Sequence, residues 1–268
     1  MKQLINSKTT LDWPNVEIEY QKPIELFIDS MYGLDITKDT FKILWVKEVR
    51  EISNFSTTAI QNAKHFDIIL TYDDEILKNC DNAHFMPFGS AWIESFEHKN
   101  KVFGVSHLTG NKLITYGHKL RHEVHHNQKE LGIPTKFYIS KYGGPNLYEN
   151  NLILGDIKNP LFDTQFHICI ENSNQKNLFT EKLIDTLITK TVPIFWGADN
   201  ISEFFNEKGF LKVYNLQDII YICNNLNEET YESMLPYIED NYNKALKYAN
   251  LSNNFKITLE KILNNGNF

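Results

Sequence analysis

Nowhere does this 268-residue chain reach the roughly 18 consecutive apolar residues of a membrane-crossing helix. Its first residues, MKQLINSKTTLDW, lack the apolar core of a secretory signal. Cysteine is scarce. Cys80, Cys169 and Cys223 are widely spaced and odd in number, which leaves no disulfide framework and no short-spaced metal pair. They read as reduced and buried. A basic surplus is also missing: the formal net charge of −7 argues against the positive face of a duplex nucleic-acid binder. No Asp-x-Asp motif, internal repeat or low-complexity tract is present. Together these absences predict a cytoplasmic protein without its own transmembrane segment and without a nucleic-acid partner. The sequons at Asn54, Asn200 and Asn250 are then chance matches.

What is present is an ordinary globular composition, 42% hydrophobic and 23% charged. Short apolar runs alternate with helical patterns, which favours α/β. Strands are predicted at 42–46 (KILWV), 67–72, 101–106, 137–140, 165–170 and 193–196, and helices at 56–66, 117–131 and 181–190. From 217 onward the pattern is almost wholly helical. The last stretch has an apolar set at Phe255, Leu259, Ile262 and Leu263. The polar run 97–101 (EHKNK) is the expected domain boundary, and 143–157 reads as a long loop of the kind that carries function.

The segment 166–197, FHICIENSNQKNLFTEKLIDTLITKTVPIFWG, carries the most chemistry. A strand ending in Glu171, Asn172 and Ser173 places three polar residues at the carboxyl edge of an α/β sheet, where ligands bind. Thr180 suits the N-cap of the next helix. Lys182 falls in the first turn, where free N–H groups and the helix dipole favour an anion. A cation there suggests a bound diphosphate that neutralises it; a solvated lysine accounts for the segment equally well.

The same residues resemble the signature of the family-10 glycosyltransferases, the α1,3/α1,4-fucosyltransferases. In that family a strand ends in F-E-N-S, Y-V-T-E-K opens a helix, and a P-I-Y-W-G strand follows. Here the positions read Ile170-Glu171-Asn172-Ser173, Leu178-Phe179-Thr180-Glu181-Lys182 and Pro193-Ile194-Phe195-Trp196-Gly197. Ile170 and Leu178 replace two aromatics. The resemblance implies a GT-B fold, two Rossmann-like domains facing across a cleft, divided as 1–99 on the acceptor side and 100–268, with a helical tail, on the nucleotide-sugar side. It implies an inverting transfer of fucose from GDP-fucose to the hydroxyl of an oligosaccharide or glycoconjugate. Lys182 would contact the phosphates, Glu181 the ribose or sugar hydroxyls, and Asn172 would orient the donor, with Glu171, Ser173 and Thr180 in the same site.

Two upstream echoes extend the match. Inversion needs a base for the acceptor proton, and the family places a carboxylate after a strand in a pattern like R-I-F-Y-T-G-E-N. KILWVKEV puts Glu48 there, with Glu51 as the runner-up. A departing diphosphate needs cations. The family's arginine at a helix start corresponds to Arg121 in GHKLRHEV, which would join Lys182. No metal cofactor is then required, although a divalent ion could stimulate departure.

Alternatives stand beside this reading. Another nucleotide sugar could be the donor, or the chain could be an inactive donor-binding relic. A lectin could use Trp13, Trp45, Trp92 and Trp196 for stacking. His122-Glu123-Val124-His125-His126 satisfies the H-E-x-x-H pattern of zinc hydrolases. On a helical wheel, however, Leu120, Val124 and Leu131 share one side and the histidines another. That arrangement predicts a solvated polar face with no third ligand.

Overall fold

The computed structural model describes residues 2–5, 16–93, 95, 100–141, 143 and 152–265. The chain forms two compact units, one of residues 1–88, 175–178 and 250–268, the other of 89–174 and 179–249. The predicted division at 99/100 therefore differs from the observed one. The change of unit comes at Phe88/Gly89, and residues 97–99 of the expected boundary lie outside the described residues.

In the first unit β1 (Lys2–Ile5) pairs antiparallel with β2 (Val16–Glu19). A parallel sheet follows in chain order: β3 (Ile24–Ile28), β4 (Phe41–Val46), β5 (Ile68–Thr71) and β6 (Ala83–Phe85). Between these strands lie α1 (Phe55–Asn62) and α2 (Asp74–Asn79). All six residues of β4 are buried, as expected of a central parallel strand covered on both faces. Asp73 caps α2 by accepting the Glu75 N–H at 2.9 Å, and its carboxylate also accepts from Arg50 Nε and the Ser56 hydroxyl.

The second unit opens with β7 (Val102–Thr109), α3 (Tyr116–His126), β8 (Thr135–Ser140) and β9 (Leu152–Leu154). It continues with β10 (Thr164–Ile170), α4 (Glu181–Ile188), β11 (Val192–Trp196), β12 (Leu211–Lys212), α5 (Leu216–Asn225) and α6 (Glu228–Ala249). Its sheet is parallel in the order β12-β11-β10-β7-β8-β9. From β7 the chain winds outward through β8 and β9, then returns to β10 and winds outward the other way. The carboxyl ends of β7 and β10 thus flank a topological switch point, the place where open α/β sheets bind ligands.

The last helix, α7 (Leu251–Asn265), belongs to the first unit rather than to a tail on the second. Its predicted apolar residues are the reason. Phe255 and Leu259 are fully buried beside Trp45, Ile43 and Ile18, and Phe255 meets the Trp45 ring at 5.5 Å. The expected solvated polar face of α3 is also corrected: His118, His122 and His125 are buried, and only Glu123 and His126 of the H-E-x-x-H set are exposed. The second sheet and the loop before α3 cover that side. Of the predicted long loop, residues 152–154 form the edge strand β9, and residues 144–151 lie outside the described residues.

Three buried histidines of this unit are held neutral. Burial pulls His107 and His167 down to about 3 and His118 down to about 4, from 6.5. Unfolding below pH 6.5 lets each take up a proton, so stability falls as the pH drops through that range. Asp185 opposes them: burial raises it from 3.8 to about 7, so between those values unfolding releases its proton. Three uptakes against one release leave a net uptake of about two protons near pH 5. The melting temperature should therefore drop by several degrees between pH 7 and pH 5 in a calorimetric series; an equal or higher value at pH 5 contradicts the neutral-histidine core.

Candidate functional site

Past Ile170 the β10 ladder runs one residue further, with the Glu171 N–H donating to the Trp196 carbonyl at 2.9 Å. The Glu171 side chain then turns inward and is 0% exposed. Its Oε1 accepts the Thr180 N–H at 2.8 Å, and its Oε2 accepts the Thr180 hydroxyl at 2.8 Å. Thr180 in turn caps α4, its Oγ1 accepting the Lys182 N–H at 3.3 Å. One buried carboxylate therefore ties the end of a strand to the start of the next helix.

Lys182 lies over this junction. Its Nζ is 3.1 Å from Thr180 Oγ1, 3.1 Å from Glu181 Oε1 and 3.6 Å from Glu171 Oε2. Burial would lower its pKa, but Glu181 and Glu171 outweigh that and leave it raised. For Glu181 burial acts upward, and Lys182 and Lys158 reverse it, so the carboxyl stays below its usual range. The cation in the first turn thus has partners within the fold itself. Two carboxylates of the fold already balance the charge.

The start of α3 closes the other side. Gly117 sits so near the chain after β10 that a Cβ there would lie 2.0 Å from the Glu171 carbonyl oxygen and 2.8 Å from that of Asn172. Arg121, one turn on and buried, donates from Nε and Nη2 to the Ile170 carbonyl at 3.0 and 2.8 Å. Nη2 also donates to Asn172 Oδ1 at 2.7 Å. Arg121 and Asn172 are thus brought together, and the guanidinium fixes the strand end. Ser173 is buried in the same turn.

His118 was missed by sequence reading. It completes a capping box with Thr115, its Nδ1 accepting the Thr115 N–H at 3.2 Å and lying 2.7 Å from Thr115 Oγ1. Since Nδ1 accepts, the ring proton resides on Nε2. The signal was there as a threonine three residues before a histidine, an unusual form of the capping pair. Lys158 was also missed. Its Nζ lies 4.0 Å over the Trp92 ring and 3.8 Å from Asp185 Oδ2. Asp185 Oδ1 accepts the N–H groups of Trp92 and Ile93 at 2.8 and 3.3 Å. The Lys158–Asp185 pair is within ion-pair range, yet burial moves both groups toward neutrality. The long separation agrees with a weak pair.

The remaining predicted residues fall elsewhere. Glu48 and Glu51 belong to the first unit, two and five residues past β4. Glu48 is half-buried and its Oε1 accepts the Val49 N–H at 3.0 Å; Glu51 is exposed. Leu178, where the family has tyrosine, is buried with Val49 and Tyr72 in the first unit. Of the tryptophans, Trp45 and Trp196 are core, Trp92 is 62% exposed, and Trp13 lies outside the described residues. The zinc pattern does not assemble: His122 Nε2 contacts the Lys112 carbonyl at 3.2 Å, and His126 Nδ1 contacts the His122 carbonyl at 2.8 Å. Among the described residues, no three His, Cys, Asp or Glu side chains form a metal-binding group.

Residues 112–261, more than half of the chain, match the model of "Glycosyltransferase family 10 (fucosyltransferase) C-term". The chain is 30% identical over 119 residues to the alpha-(1,3)-fucosyltransferase FucT of Helicobacter pylori, covering 41% of this chain and 23% of that protein. A putative fucosyltransferase-like protein of Arabidopsis thaliana is 27% identical over 137 residues, 49% of this chain and 25% of its own length. The chain spans about a quarter of the length of these curated relatives. Among solved structures it resembles an alpha1,3-fucosyltransferase with GDP-fucose, TM-score 0.52 at 16% identity, over 90% of this chain and 79% of that one. It also resembles OtsA, TM-score 0.60 at 9% identity, over 91% of this chain and 73% of that one. The fold is of the GT-B type, with two Rossmann-like α/β units.

Gly117 gives a direct test of the site's construction, because the atoms a Cβ would strike are backbone and cannot swing away. Overpacking of this kind costs about 1–3 kcal/mol, and roughly 2–4 °C accompanies each kcal/mol in a chain of this size. Gly117→Ala should lower the melting temperature by at least a few degrees. A wild-type melting temperature would mean that α3 and the end of β10 are not held in close contact.

Proposed function

The chain belongs to glycosyltransferase family 10, the fucosyltransferase family, and on that premise we propose that it is an inverting glycosyltransferase acting on GDP-fucose and a glycan hydroxyl. The observation that carries the reading is the meeting of two helix starts, those of α3 and α4, at the Glu171–Asn172 end of β10. Two helix N-termini aimed at one strand end favour an anion, and this strand end lies at the switch point of the sheet. Support for a phosphate role comes from the cations gathered there. Lys182 and Arg121, cations of these two helices, would absorb the charge of a departing diphosphate, while the neutral His118 ring would add an Nε2–H donor.

The other residues take supporting parts in this reading. Glu181 keeps Lys182 cationic and has a second oxygen for a ribose or sugar hydroxyl. Asn172, with Oδ1 engaged by Arg121, presents its amide nitrogen to the donor. Glu171, Ser173 and Thr180 are buried; we assign them to holding the turn, not to touching the donor. Glu48 acts as the base. As the acceptor oxygen bonds to the anomeric carbon, its proton passes to the Glu48 carboxylate and the bond from carbon to phosphate oxygen breaks, releasing GDP. The leucine at 178 is the reason to test the base and sugar directly, since it is buried where the family's tyrosine would stand.

Donor class is read by thermal shift against GDP, UDP, CDP and GDP-fucose. A ligand at ~100-fold its Kd stabilises by about 2.7 kcal/mol, and GDP and GDP-fucose should give the largest shifts. Lys182→Ala should lose most of the GDP shift, its unliganded melting temperature reporting separately on the lost pairs with Glu181 and Glu171. A full GDP shift in that variant removes Lys182 from the phosphate site.

Glu48→Gln keeps size and hydrogen bonding but cannot take a proton. It should cut turnover by roughly 10²-fold with donor affinity nearly unchanged, and Glu51→Gln should be milder. The reverse order would make Glu51 the base.

A further inference from the structure

We propose that Asp29 is the positioning residue for Glu48; this rests on the reading of Glu48 as the base. Asp29 directly follows β3, which runs parallel to β4 with Ile28 opposite Trp45. The Asp29 N–H makes one more ladder bond, to the Trp45 carbonyl at 2.9 Å. Beyond that point β4 has ended, and the N–H groups of Lys47 and Glu48 have no strand partner. Asp29 supplies one. Its Oδ1 accepts the Lys47 N–H at 2.8 Å and the Glu48 N–H at 3.0 Å. Its Oδ2 lies 3.4 Å from Lys47 Nζ, with both side chains mostly buried, and Lys47 Nζ also lies 5.1 Å above the Phe88 ring.

The backbone adopts an uncommon shape to achieve this. Asp29 has φ +45°, in the left-handed region where aspartate and asparagine are tolerated and most side chains are not. A short carboxylate in that conformation reaches the backbone of the neighbouring strand's loop at its root, directly at the residue that carries the proposed base. The half-buried Glu48 side chain is thereby hung from a fixed point, and rotation of the 47–48 peptide groups would break two hydrogen bonds at once. A base displaced by even 1 Å loses about 10²-fold in rate, so the clip acts on turnover, not on donor binding.

Glycine enters the left-handed region without strain, so Asp29→Gly removes the clip and leaves the backbone at ease, whereas Asp29→Asn keeps an acceptor oxygen. The readout is GDP release from GDP-fucose in water, with the full chain at high enough concentration to time slow turnover, and GDP affinity by thermal shift. Asp29→Gly should lower kcat by roughly tenfold or more with GDP affinity within about twofold. Asp29→Asn should recover most of the loss. In the Glu48→Gln background, Asp29→Gly should cost little more, because there is no base left to misplace. Wild-type kcat in Asp29→Gly, or the same loss in both backgrounds, overturns the proposal. If Glu48→Gln itself turns over normally, the base assignment fails, and that result is visible without any Asp29 variant. Should the glycine variant fail to melt cooperatively, Asp29→Ala, which also lacks an acceptor, replaces it; an undiminished kcat there overturns the proposal equally.

Discussion

A carboxylate removed from water has to find its hydrogen bonds and its countercharge inside the protein, and Glu171 organises the second unit in meeting that demand. It terminates the central strand β10, accepts both polar groups of the Thr180 cap, and lies within ion-pair range of Lys182. The entry of α4 is fixed by these contacts, and so are the positions of Glu181 and Lys182 in its first turn. Loss of this one group would leave the Thr180 N–H and the Thr180 hydroxyl proton without their acceptor, and Lys182 with less compensation. The E-N-S and T-E-K segments are separated in sequence but are two halves of this single connection.

Arg121 performs a matching task from the other helix. With two hydrogen bonds on the Ile170 carbonyl and one on Asn172, it is a clamp on the strand end. Gly117 sets the distance at which the clamp operates, since any side chain there would collide with the backbone after β10. The anion-favouring ends of α3 and α4 are thus drawn to the same peptide groups by close packing, and the cations are held before any ligand arrives. A preorganised arrangement of this kind avoids reorganisation cost when a diphosphate binds or departs.

In the first unit the same economy appears at the edge of a different sheet. Parallel strands of unequal length leave unpaired N–H groups where one outlasts the other, and a side chain from the shorter strand can satisfy them. Asp29 does so for Lys47 and Glu48. In both units the residues of chemical interest follow the carboxyl end of a buried strand, and an acidic group at the end of that strand or its neighbour holds the backbone that carries them.

Much of this was legible in the sequence because the signals are local. Largely apolar runs such as KILWV and FHICI report strands buried on both faces, and they appear as β4 and β10. Thr180 as a cap and the polar set 171–173 at a strand end follow from short-range chemistry; the short strands β1, β2, β3, β6, β9 and β12 left no comparable signal. Spacing also joined the two halves of the family signature. Other features involve partners far apart in the chain and leave no local trace. The burial of His118, His122 and His125 depends on what covers α3, not on its own wheel. Beside its neighbour Glu181, Lys182 meets a second carboxylate, Glu171, eleven residues back, through a turn whose shape no periodicity encodes. The amphipathic face of α7 was readable, but its docking beside Trp45 was not, because an apolar stripe specifies that something must cover it and not which surface will. Sequence alone therefore determined the α/β class and the buried strands on which the candidate residues sit; only the tertiary structure decided which charges compensate one another, since that depends on distances between groups the chain brings together from opposite ends of its elements.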